Sequence, residues 1–186
     1  MRLVVGVTGA SGSVYAVRLL EVLRELGWES HLVLTAAAMK TLGIETDLSP
    51  RQLQDLASFT HDNDDLTAPL ASGSFRTDGM VVVPCSVGSL SAIANSFDHN
   101  LLVRAADVTL KERRRLVLVV RETPLHLGHL RLMARVTEQG AIVLPPVPGF
   151  YQRPTTLAQV VDHTVGKILD LFGAPVELFP RWGGKG

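Results

Sequence analysis

The stretch RLVVGVTGASGS, residues 2–13, opens with an apolar, β-branched run that breaks into a turn carrying glycines at 6, 9 and 12. The run reads as a strand, and the segment after the turn decides the architecture. Residues 13–26 place Val14, Val17, Leu20 and Leu23 three apart, Leu19 and Leu26 widen the stripe, and Gly27 ends the pattern. That spacing predicts an amphipathic helix closed by a glycine. Strand, glycine turn and helix make one β–α unit, and the unit recurs. SHLVLT (30–35), GMVVVPC (79–85), RLVLVV (115–120) and GAIVLPP (140–146) read as further strands, apolar nearly throughout as strands covered on both faces must be. Helical patterns fall at 88–95, 99–114, 125–138 and 156–172, the last carrying Leu157, Val161, Val165, Ile168 and Phe172. This alternation predicts a doubly wound, mainly parallel sheet between two helical layers, an α/β domain of three-layer αβα type over residues 1–172. In such sheets the ligand crevice lies beyond the carboxyl ends of the strands.

Two segments depart from the pattern. Residues 46–66 are polar, with a helical turn or two near 49–57 and an acidic cluster, Asp62, Asp64 and Asp65, that lacks calcium-loop spacing and fits a solvated surface. The tail, 173–186, is too rich in glycine and proline for a helix, yet its Phe179 and Trp182 suggest packing, with a neighbouring subunit as the expected partner.

Composition narrows the function. With 186 residues, 46% hydrophobic and 19% charged, the chain suits one globular domain with a sizeable core. Eighteen basic residues balance eighteen acidic ones, so no net field draws it to nucleic acid or an anionic membrane. The single cysteine, Cys85, leaves no intramolecular disulfide framework and suits a reducing cytoplasm. The N-terminal residues read as a first strand and not as a signal peptide, and no apolar run reaches the length of a membrane span.

The strand ends carry the chemistry. In GVTGASGS the glycines allow close backbone approach, Ser11 and Ser13 offer hydroxyls, and the helix start aims N–H groups at an anion such as a phosphate. A tight strand-to-helix turn would look the same. The second strand ends in LVLTAAA, where Thr35 stands in place of the acidic residue that a nicotinamide dinucleotide needs for its ribose; a mononucleotide such as FMN fits better. MVVVPC runs into a second donor-rich turn, Ser86, Val87, Gly88 and Ser89. The strand 115–120 delivers Arg121 and Glu122 to the same edge, either as a crevice pair or as an ion pair closing the sheet, with Thr123 and Pro124 expected as N-cap and first helical residue. Arg104 and Lys111, seven apart, share a helix face that fits solvent as well as a ligand. Cys85 reads as a small buried hydrophobe, and His126 and His129 lack the further ligands a metal site requires.

Taken in order, GASGSVYAVRLL, SGSFRTDGMVVVPCSVGSL, NLLVRAADVTLKERRRLVLVVRETPL, PPVPGFY and HTVGKILDLFG resemble the UbiX family of flavin prenyltransferases over nearly the whole chain. The resemblance implies a flavodoxin-like Rossmann fold, a homododecamer, and alkylation of reduced FMN by dimethylallyl phosphate at N5 and then C6. The prenylated FMN would serve a UbiD-type decarboxylase, and no metal is implied. Flavin contacts fall on Gly9, Ala10, Ser11, Thr35, Ser86 to Ser89 and Arg121. The prenyl phosphate falls to Arg104, Lys111, Tyr151 and Lys167, with Glu45 and Trp182 closing the site across subunits. Glu122 is expected to handle protons together with Ser11, and Glu45 and Lys111 complete the catalytic set. Lys167 stands where some relatives have arginine, and CSVGSL stands where many have methionine and lysine, changes that keep charge and donors but alter their geometry. The flavin-dependent cysteine decarboxylases have a turn similar to PCSVGS but also a catalytic histidine and an asparagine- and methionine-rich segment not found here. Decarboxylation of aromatic acids, and a flavin carrier without chemistry, are the other readings.

Overall fold

A computed structural model describes residues 1–181 and Gly183. Its six strands are β1 (Arg2–Val7), β2 (Glu29–Leu34), β3 (Phe59–His61), β4 (Gly79–Cys85), β5 (Arg115–Val120) and β6 (Ile142–Val143). They pair in the order β3-β2-β1-β4-β5-β6, every pairing parallel. Without the short edge strand β3 this is the flavodoxin-like order, and the direction of winding reverses between β1 and β4.

Period-two alternation sorts the strand side chains between two layers of helices. Leu3, Val5 and Val7 of β1 pack with α1 (Ser13–Glu25) and α7 (Leu157–Leu171), joined at the margin by α2 (Ala36–Glu45) and α3 (Pro50–Gln54). Val4, Val33, Met80 and Val82 pack on the other face with α4 (Val87–Ala94), α5 (Leu101–Lys111) and α6 (Leu127–Glu138). Every residue of β4 is buried, which is why that strand reads as an unbroken apolar run.

Several elements differ from the sequence expectation. α2 was not anticipated: in AAAMKTLGIE only Ala38 and Leu42 are buried, so no apolar stripe marks it. β3 lies inside the segment read as irregular, because as an edge strand it leaves Phe59 half exposed and buries no residue fully. The strand expected over 140–146 shrinks to two residues, since Pro145 and Pro146 have no N–H to extend a ladder. Thr123 and Pro124 do not start a helix. Their peptide is cis, α6 begins at Leu127, and the N-cap is His126, whose Nδ1 accepts the Gly128 N–H at 3.0 Å. The described tail packs, as its aromatic residues suggest, and within this chain it contacts α7. Phe179 seats against Gly166 of α7, where an added Cβ would come within 2.5 Å of the ring, and Arg181 grips Asp170 with two bonds of 2.7 and 2.8 Å.

Candidate active site

Because all strands run the same way, the turns after β1, β2, β4 and β5 share one edge. Three helix starts converge there, each closed by a side-chain cap: Thr35 accepts from Ala38 N–H at 3.1 Å, Ser86 from Ser89 N–H at 3.3 Å, and Asn100 from Val103 N–H at 2.9 Å. Thr35, Ser86 and Asn100 all line one crevice of ≈520 Å³, with Thr8, Gly9, Ala36, Ala37, Gly88, Ser89 and His99. The positive ends of α2, α4 and α5 therefore face the same space. The amides of Ala36, Ala37, Val87 and Gly88 precede the first in-helix hydrogen bonds and find no acceptor among the described residues. This is a built anion receptacle made of backbone donors and hydroxyls. Gly88 keeps it open: an added Cβ would meet only Ser86 Oγ, at 4.0 Å, and would otherwise stand in the crevice.

Thr8, which sequence reasoning passed over, fastens two of these turns. It is 1% exposed, and its Oγ1 donates to Pro84 O at 2.8 Å while accepting the Ser86 N–H at 2.8 Å. The β1 turn and the β4 turn thus move as one. Gly9 is required for another reason than ligand approach, because a Cβ there would lie 2.5 Å from Ala37 Cβ.

The first glycine turn does not present a free anion site. Glu45, the last residue of α2, places its carboxylate on the α1 N-terminus, accepting Gly12 N–H at 2.9 Å and Ser13 N–H at 2.8 Å. Partial burial raises its carboxyl pKa, but hydrogen bonds from the Ser11 hydroxyl and the Ser13 and Gly12 amides outweigh this and hold it below the ordinary carboxylate value. The phosphate expected here meets an anion already supplied by the protein, whereas no acidic residue lines the crevice at the other three helix starts.

Arg121 and Glu122 follow the end of β5 on the same sheet edge but do not pair with each other, so the ion pair closing the sheet edge is not formed. Arg121 N–H donates to Cys85 O at 3.1 Å, which ties the β5 tip to the β4 turn, and its guanidinium enters no ion pair among the described residues. Its charge lies close to the Tyr15 phenol, whose pKa burial nevertheless raises. Glu122 turns back to accept the Thr123 N–H at 2.9 Å. Cys85, fully buried, has its thiol pushed up to about 12 by desolvation and is no nucleophile.

The residues expected at the prenyl phosphate fall into three groups in the single chain. Arg104, in the first turn of α5, is bound by Asp98 and Asp107, and Lys111 pairs with Glu112 at the other end of that helix. Lys111 stands next to the start of β5, whereas Glu122 lies past its end, ~20 Å away at the rise of a six-residue strand. The third group is at α7: Tyr151, from the short turn Phe150–Gln152, has its Oη 3.5 Å from His163 Nε2, and Lys167 Nζ is 3.8 Å from Asp170. His163, not singled out in the sequence, sits between Tyr151 and Phe179 with its Nδ1 buried and unbonded among the described residues. Trp182 lies outside the described residues. Among those described, no three His, Cys, Asp or Glu side chains converge as metal ligands, and the His126 ring lies 3.5 Å from that of His129, tilted by 35°, while His126 caps its helix. No described helix is long and apolar enough to cross a membrane.

An open parallel sheet with a donor-rich crevice at its switch point defines a nucleotide-binding flavoprotein, and the family model described as Flavoprotein matches residues 1–170. Among named relatives, a flavin prenyltransferase UbiX from Thauera aromatica is 56% identical over 100% of this chain and 95% of its own. The chain belongs to the UbiX family of flavin prenyltransferases. A crystal structure of AnUbiX in complex with FMN and dimethylallyl pyrophosphate superposes with a TM-score of 0.98 at 48% identity, covering 100% of this chain and 98% of that one. A dodecameric FMN-dependent UbiX-like decarboxylase from Escherichia coli O157:H7 gives a TM-score of 0.97 at 45% identity, covering 99% and 100%.

Proposed function

We propose that this flavin prenyltransferase moves a dimethylallyl group from dimethylallyl phosphate to N5 and then C6 of reduced FMN, yielding prenylated FMN for a UbiD-type decarboxylase in the cytoplasm. The observation that carries the reading is the convergence of three capped helix starts on one crevice, on the sheet edge to which β5 delivers Arg121 and Glu122. FMN fits this donor set. Its phosphate suits the free amides of α2 and α4, the hydroxyls of Thr35, Ser86 and Ser89 offer further bonds, and Arg121 adds a cation beside them. Reduced flavin, when bound, supplies an electron-rich nitrogen that can displace an allylic phosphate.

The chain's own groups then have distinct tasks. Glu45, held below the ordinary carboxylate value, is the acceptor for the Ser11 hydroxyl, so a proton reaching Ser11 Oγ could pass on to the Glu45 carboxylate. Glu122, held by a neighbouring amide, is the carboxylate we assign to relaying, with Ser11, the proton released at N5 to the departing phosphate. Leaving-group charge calls for cations, and Arg104, Lys111 and Lys167, with the Tyr151 hydroxyl, are the groups we assign to it. Since Lys111 stands at the far edge of its own sheet, the site must be completed by another copy of the chain, which agrees with assembly as a dodecamer. The tail beyond residue 172 we assign to the rim of that composite site.

Incubating the protein with reduced FMN and dimethylallyl phosphate, and weighing the extracted flavin, tests the reading. A flavin heavier by one dimethylallyl unit is expected. Unchanged FMN, with carbon dioxide released from an added peptidyl cysteine or aromatic acid, would overturn it.

A further inference from the structure

Arg104 is held on three sides. Its Nε–H donates to Ala71 O at 3.1 Å, and its Nη1 donates to Asp98 Oδ2 at 3.0 Å and to Asp107 Oδ2 at 3.3 Å. A guanidinium carries five N–H donors, one on Nε and two on each terminal nitrogen. The chain itself therefore uses three, and the two on Nη2 meet no acceptor among the described residues. The side chain is 31% exposed, so the guanidinium is not sealed inside the chain.

The two carboxylates differ in what they can fix. Asp107 lies three residues further along the same helix and moves with Arg104, whereas Asp98 comes from the loop before α5 and gives the guanidinium a second, independent anchor. Asp98 holds this place at a cost. Its other oxygen, Oδ1, is buried and accepts no hydrogen bond among the described residues, and a half-satisfied buried carboxylate is a poor device for stability. Two carboxylates on one guanidinium also leave the cluster with a net negative charge. Retention of Asp98 is thus explained by the direction it gives Arg104, not by the attraction it adds for an anion.

We propose that Asp98 and Asp107 are positioning residues for the prenyl-phosphate donor: they clamp Arg104 so that Nη2 alone is presented, at a fixed angle, to the phosphate in the crevice of an adjoining copy. The proposal rests on the assignment of Arg104 to that phosphate. It gives Arg104 the task of aiming and leaves most of the neutralising charge to Lys111 and Lys167.

Steady-state kinetics with dimethylallyl phosphate distinguish the possibilities. In Asp98→Ala the KM for the donor should rise about tenfold, the scale of misaligning one charge-assisted hydrogen bond, while kcat and FMN affinity stay near wild type. The same change made on an Arg104→Ala background should add nothing. If Asp98→Ala does not fold, Asp98→Asn, which keeps the shape and one acceptor, should give a smaller rise in the same direction. An unchanged KM would overturn the proposal, and so would a lower one, which would show that Asp98 only repels the phosphate. An equal rise on both backgrounds would show that Asp98 does not act through Arg104. Arg104→Ala with an unchanged KM would overturn the assignment of Arg104 itself and the proposal with it.

Discussion

Thr8→Val isolates the fastening between two turns of the crevice. Valine has nearly the same shape, so the substitution removes hydrogen bonds without opening a cavity. Pro84 O keeps one donor, the Thr8 backbone N–H at 3.2 Å, but Ser86 N–H loses its acceptor at 2.8 Å. An orphaned buried donor costs about 1–3 kcal/mol, and with the second bond lost the expected destabilisation is about 2–3 kcal/mol. For a chain of this length that lowers the thermal midpoint by about 5–10 °C. The freed Ser86 turn must also be reordered whenever a flavin binds, so FMN affinity should fall by about tenfold, the equivalent of ~1.4 kcal/mol. Differential scanning calorimetry of the flavin-free protein and fluorescence titration with FMN measure the two effects separately. Thr8→Ser, which keeps the hydroxyl, should retain most of the affinity. A Thr8→Val protein with wild-type midpoint and wild-type affinity would refute the assignment of Thr8 as a tie between the turns.

Other expectations concern single groups. Chains carrying Glu122→Gln and chains carrying Lys111→Ala should each be nearly inactive alone; co-assembled in equal amounts they should regain about a quarter of wild-type turnover, because random mixing in a symmetric oligomer restores that share of composite sites. No recovery would place both residues in one chain's site. The stabilisation from Glu45 should be complete above its ordinary pKa of 4.5 and vanish as pH falls through the lower folded value, so the wild type should lose its advantage over Glu45→Gln in acid. A difference in thermal midpoint that stays constant from neutral pH to below that range would contradict the geometry. Cys85 should resist thiol reagents at mildly alkaline pH in the native protein and react once per chain in denaturant; rapid native labelling would mean that the β4 end opens.

Much of this molecule is legible in the chain because burial on both faces leaves a plain record. The apolar runs of β1, β2, β4 and β5 and the stripes of α1 and α7 lie within a residue or two of where periodicity puts them. The elements that escaped are those whose burial is slight: α2 hides two residues and β3 sits at an edge. Proline misled twice, lengthening β6 in expectation and advancing the start of α6, since a Thr-Pro pair reads as a helix start and is here a cis turn. Residue types at the crevice were legible as donors, but their partners were not. That Glu45 would cap a helix 32 residues earlier, or that Thr8 would hold Ser86, depends on contacts far apart in sequence that no local pattern records.

The carboxylate of Glu45 on the first helix start has a further meaning when treated as a tethered competitor. A ligand fixed to the chain that it binds acts at an effective concentration of roughly millimolar or more, and no dilution lowers it. Inorganic phosphate and stray nucleotides would have to outcompete that resident group to settle on the Gly12 and Ser13 amides. The glycine-rich turn, which in isolation invites any phosphate, is in this way closed to the abundant ones.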